Sequence, residues 1–106
     1  MFIANAEARV VYACPHRVRL SGRDPTGQPF SANVDPEFRL LTRILHRKII
    51  AGQMKVAHPS LPVTLPSGPY SVAASVYRRM LLGRPYAVCI SRLTPAHDLV
   101  FERSLS

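Results

Sequence analysis

Tryptophan is absent from this chain, cysteine occurs only twice and acidic residues only six times. Each shortage excludes a class of chemistry. Cys14 and Cys89 lie too far apart in sequence to suggest a disulfide framework, so both are expected as unpaired thiols. Cys14-Pro15-His16 has a C-x-H spacing, but no C-x-x-C pair occurs, so no metal site is expected. Six acids supply no pair of carboxylates placed for acid–base work. His97-Asp98 could orient an imidazole, but neighbours in a turn seldom present a base and its orienter together. There is no G-x-S-x-G, no phosphate-binding P-loop and no dinucleotide-type glycine pattern. The expectation is a protein that is not an enzyme and carries no cofactor. No apolar run is long enough to span a bilayer, which argues against a membrane partner. The opening MFIANAEA has small-x-small spacing but lacks the positive start and apolar centre of a signal peptide, so a cytoplasmic location is expected.

What is present is apolar bulk and positive charge. Of 106 residues, 47% are hydrophobic, enough for the core of one compact domain spanning 1–106. The formal net charge is +8, and twelve of the fourteen basic residues are Arg. Between Phe38 and Ala96 there is no Asp or Glu. An Arg-rich surface without acids favours polyanions, because the guanidinium fork grips phosphate or carboxylate at two points.

The clearest local signal is Asp35 to Gly52. Asp35 is placed as an N-cap, Pro36 as the first helical residue and Gly52 as a left-handed terminator. Phe38, Leu41, Leu45 and Ile49 fall on one face of this helix, and Arg39, Arg43, His46 and Arg47 on the other. Cations near a helix C-terminus are favourable in themselves, and any surface helix needs a charged face. An ordinary solvated face, however, mixes signs, and this one does not.

Strands are expected at 7–14, 16–21 and 28–34, with a turn at Asp24-Pro25-Thr26-Gly27 between the last two. Alternation at 16–21 sets Val18 and Leu20 inward and Arg17 and Arg19 on a solvated, basic face. A short strand is expected at 54–57, then a stiff crossover at 58–69, where four prolines fall within twelve residues. A second helix is expected at 70–82 with Arg78 and Arg79 on its wet side, followed by strands at 86–93 and 99–103. These elements describe an α+β domain: an antiparallel sheet of about five strands with two helices packed on one face. The expected core is Val18, Leu20, Phe30, Phe38, Leu41, Leu45, Ile49, Val76, Met80, Val88 and Ile90.

On this pattern the chain reads as a small basic binding protein that docks on nucleic acid. The contacts would run through Arg39, Arg43, His46 and Arg47, with Arg78, Arg79, Arg17 and Arg19 adding to the basic surface. The alternative is an inhibitor or adaptor of the kind phages and mobile elements encode, seated on the acidic face of a host protein or nucleoprotein defence complex. Arg residues interleaved with Ile50, Leu82 and Tyr86 suit such an interface equally.

Overall fold

The computed structural model describes residues 1–95. Its elements are β1 (Phe2–Ala4), β2 (Val10–Ala13), α1 (Pro15–Ser21), α2 (Arg39–Ile50), β3 (Val56–Ala57), β4 (Ser60–Leu65), β5 (Gly68–Leu81) and β6 (Arg84–Pro95), with 3₁₀ turns at Phe30–Asn33 and Pro36–Phe38. The sheet is antiparallel with order β2-β1-β6-β5-β3, and β4 shares the outer edge of β5 with β3. Helices and 3₁₀ turns cover its inner face. The expected fold class, an antiparallel sheet with two helices, is therefore the observed one.

The longest pairing joins β5 to β6, from Tyr70↔Pro95 to Leu81↔Arg84. Residues 70–82 were expected to be helical, because Val72, Val76 and Met80 recur every four positions. In the fold they are strand: Val72, Ala74 and Val76 share one face at period two, and β-branched and aromatic residues fit a pleated surface. Gly83, which follows the helix expected at 70–82, instead forms the hairpin turn with Leu82. Both have positive φ, at 76° and 51°, the geometry of the tight turn that matches strand twist.

The proline-rich stretch is not a bare crossover. Ser60–Leu65 is β4, paired with β5 from Ser60↔Ala73 to Leu65↔Gly68. Pro62 is tolerated because β4 has no partner on its other side among the described residues. Residues 16–21 are likewise not a strand. Pro15 occupies the first turn of α1, and Gly22 closes it at φ 74°, donating to Arg19 and Val18 carbonyls. The expected strand at 28–34 is mostly a 3₁₀ turn, touching β2's approach through an Arg9↔Pro29 bridge. The Asp24 turn forms as expected: Asp24 accepts bonds from the Thr26 amide at 3.0 Å and hydroxyl at 2.7 Å. β1 was not anticipated. The strand expected at 99–103 lies outside the described residues.

The Asp35–Gly52 helix is real but rotated. Its buried residues are Thr42, His46 and Ile49, with Leu45 half-buried, a clean i, i+3, i+4, i+7 stripe. Ile49 is fully enclosed, and burying such a side chain contributes about 1.5–3 kcal/mol. Leu41, expected inside, is exposed, as are Leu40 and Ile44; Met80 and Ile90 are also outside. Asp35 makes no side-chain cap. Its carboxylate instead accepts from the Thr64 amide at 3.0 Å, latching the start of the helical segment to β4.

Leu82 is fully exposed at positive φ, so its side chain contributes strain and no packing. Leu82→Asn should raise stability by roughly 0.5–1 kcal/mol, since Asn tolerates the left-handed region. Thermal melting of the two proteins checks this, and a lower midpoint for the variant would contradict the turn assignment.

Candidate ligand cavity

The sheet's inner face has a register-matched row, Ala57–Val76–Cys89–Phe2–Ala13, running across five strands. Beside it on the same face, Ala74 pairs with Ser91 and Val72 with Leu93. Small side chains here leave the helical layer without enough bulk to meet, and a cavity of about 60 Å³ remains. Its floor is Val72, Ala74, Val76, Cys89 and Ser91. Its roof is Thr42, Leu45 and His46 from α2, Phe30, Asn33 and Val34 from the 3₁₀ segment, and Arg17 from α1, with Leu61 and Val63 of β4 along one side.

Three polar side chains in this apolar wall are almost completely enclosed: Arg17, His46 and Thr42, the last satisfied by donating its hydroxyl to the Phe38 carbonyl at 2.9 Å. The Arg17 guanidinium lies 5.2 Å from the Phe2 ring centroid, a cation–π contact. Neither its Nε nor its Nη1 has a hydrogen-bond partner among the described residues. Burial pulls its pKa down from the usual value, while the Cys89 and Cys14 thiols act in the other direction. A desolvated cation with unmet donors is costly unless an anion joins it.

His46 Nε2 lies 2.9 Å from the Asn5 carbonyl oxygen, which can only accept, so Nε2 carries the proton. The neutral ring therefore leaves Nδ1 as an acceptor, and Nδ1 is buried without a partner. Asn5 is held in turn by its side chain, whose Oδ1 accepts from the Glu7 and Arg9 amides at 3.1 and 3.0 Å. Phe2 and Phe30 meet edge to face at 6.1 Å, and Phe30 lies 6.3 Å from the His46 ring, so aromatic rings bridge Arg17 and His46. Burial raises the Cys89 thiol to about 11, leaving it a neutral wall residue.

Outside the cavity is an open cleft of about 400 Å³ lined by Ser21, Arg23, Ala32, Thr64, Leu65 and Pro66. Arg17 and Asn33 line both spaces and stand at the boundary between them.

The fold resembles a PAS domain of a protein from Desulfitobacterium hafniense. The TM-score is 0.68 at 15% identity, covering 86% of this chain and 88% of that one. No protein-family model matches the sequence, and no curated protein matches it.

The eight residues expected to form one basic surface are dispersed. Arg39, Arg43 and Arg47 are exposed together on α2. His46 is not with them, because its bond to Asn5 turns it inward. Arg17 is buried rather than solvated, since 15–21 is helix and not strand. Arg19 is exposed on α1. Arg78 Nη1 reaches the Ile50 carbonyl at 3.4 Å, at the C-terminus of α2, where a cation suits the helix dipole. Arg79 lies on the sheet's outer face, 5.5 Å from the Tyr77 ring centroid. Thr42, Asn33 and Asn5 carried no signal in the sequence. Among the described residues no three His, Cys, Asp or Glu side chains gather.

Burial lowers the His46 pKa below 6.5, with the Asn5 bond acting the other way. The unfolded chain therefore binds more protons than the folded one below about pH 6.5, and stability falls as pH falls through that window. His46→Gln keeps a donor for Asn5 and removes the titration. Denaturant midpoints between about pH 5 and 7.5 should slope upward with pH in the wild type and less steeply in the variant. Equal slopes would mean that His46 is not buried neutral.

Proposed function

We propose that this chain is a small-molecule-binding domain whose ligand occupies the space between the helical layer and the sheet. The observation that carries this reading is the Arg17 guanidinium, enclosed in an apolar wall with two nitrogens unpartnered. Folded proteins leave few buried polar atoms unmet, and those left at a cavity wall are where a ligand completes the bonding. His46 Nδ1 in the same wall adds a second unmet group.

A second reading rests on α2. Arg39, Arg43 and Arg47 project outward from a helix that contains no acidic residue. They support docking on nucleic acid through phosphates. The neighbouring exposed Leu40, Leu41 and Ile44 equally support an acidic protein or nucleoprotein surface, as for an inhibitor or adaptor. The two readings use opposite faces of the same helix and do not compete.

Xenon under pressure tests the cavity. Amide and methyl resonances of Leu61, Val72 and Val76 should move with xenon in the wild type, and Ala74→Leu should abolish the movement. A wild-type spectrum unchanged by xenon would refute the cavity reading.

Replacing Arg39, Arg43 and Arg47 with Gln tests the helix. If they contact phosphates, the slope of log affinity against log salt should flatten by roughly two to three units, with similar losses on unrelated sequences. Wild-type protein that binds neither duplex DNA nor single-stranded RNA at about 0.15 M salt removes the nucleic-acid partner and leaves the protein surface.

A further inference from the structure

We propose that the free end of the β5–β6 hairpin is an arm that dips into the surface of an anionic phospholipid bilayer. The flanking strands stop short of it. β3 leaves β5 at Tyr77, and β1 leaves β6 at Ala87. Beyond those levels Arg78–Leu81 and Arg84–Tyr86 pair with no other strand among the described residues. Met80, Leu81 and Leu82 are exposed at this end, Leu82 completely. Leu82 also holds a positive φ of 51°, a conformation that costs a leucine and suits Asn or Gly. A strained side chain that packs on nothing in its own chain points to contact with something outside it. No residue of the arm lines the cavity, so this surface is independent of it.

Direction selects the partner. Strand alternation places Met80 on the face of Val76 and Leu81 on the face of Tyr77, while Leu82 caps the end. A protein groove or a base step covers one or two sides of such a tip. Apolar side chains pointing three ways need an apolar medium all round, which acyl chains supply. Charge selects the lipid. Arg79 and Arg84 on one face and Arg78 on the other are exposed just behind the tip, with Lys55 beside the base. No Asp or Glu lies between Phe38 and Ala96 to oppose them. Such a collar meets lipid phosphates, and long Arg side chains reach back to them as the tip enters. Depth is consistent with this. From the Arg79↔Tyr86 level to Leu82 is three residues, about 10 Å at the strand rise, the reach of interfacial insertion. Tyr86 stands half-buried at that level, and amphipathic rings favour the membrane interface. The arm's open backbone edges bar it from the hydrocarbon centre, so it rests in the surface and spans nothing.

The test sediments the full chain with two kinds of vesicle, pure phosphatidylcholine and equal parts phosphatidylcholine and phosphatidylglycerol, at about 0.15 M salt. Wild type should bind the mixed vesicles and bind pure phosphatidylcholine roughly tenfold or more weakly. Leu82→Asn, expected above to be the more stable protein, should weaken mixed-vesicle binding by about tenfold. Arg79→Gln with Arg84→Gln should weaken it roughly twentyfold and narrow the gap between the two vesicle types. Wild type that ignores the mixed vesicles would overturn the proposal. Leu82→Asn binding them as tightly as wild type would also overturn it, leaving charge on the surface without an inserted tip. Duplex DNA affinity that falls with Leu82→Asn while vesicle binding does not would assign the tip to a base step instead. The wild-type comparison of the two vesicles is decisive even if the double variant does not fold.

Discussion

The pairing of β5 with β6 is the constraint on which the rest of the architecture depends. It is the one pairing long enough to stand as a platform, twelve residue pairs closed by Leu82-Gly83. Every other strand is short and adds to one of its two edges: β1 and then β2 beyond β6, β3 and β4 beyond β5. Two-stranded pieces of that length are marginal in water, so the short strands owe their order to this hairpin. The helical layer depends on it too. Ile49 is fully enclosed because the inner face beneath it is apolar and continuous across five strands.

The same inner face explains why the molecule holds a cavity and not a filled core. Ala74, Val76, Cys89 and Ser91 are small, and the residues opposite them are polar or rigid: Arg17, Thr42 and His46. His46 cannot swing to fill the space, because Asn5 holds its Nε2 and Phe30 packs beside its ring. Arg17 cannot leave without giving up its contact with Phe2. Well-packed interiors avoid such voids, and here the void coincides with unmet donors and an unmet acceptor.

Fold class was legible in the sequence because it rests on coarse signals: one long amphipathic helix, Asp24 and Gly27 in a turn, and a β-branched run at 86–93. Of the four stretches misread, 16–21, 28–34, 58–69 and 70–82, the first and last were misread because a few residues satisfy both periodicities. Val18 and Leu20 alternate with Arg17 and Arg19 as in a strand, yet Pro15 and Gly22 bracket them with helix-start and helix-stop chemistry that outweighs six residues of alternation. Val72, Val76 and Met80 fit a helix, and Val72, Ala74 and Val76 fit a strand; pairing with β6 decides between them. The site was hidden for the same reason. Arg17 and His46 were singled out, but as surface residues. Arg17 turns inward only if 15–21 is helical, and His46 only if a main-chain carbonyl 41 positions away is there to hold it. Neither fact is local.

β1 lies between β2 and β6, so its two neighbours are separated in the chain by most of its length. During synthesis Phe2–Ala4 emerges well before Arg84–Pro95 and must wait for it before its second edge is covered. Until then Phe2, which ends 3% exposed, has no sheet to pack on. Such long-range closure is slow compared with local hairpins. Phe2 and Cys89 both border the cavity, so its floor is complete only when that final pairing forms. A nascent chain stopped short of β6 lacks the platform on which its short strands and helices order, and it cannot close the cavity.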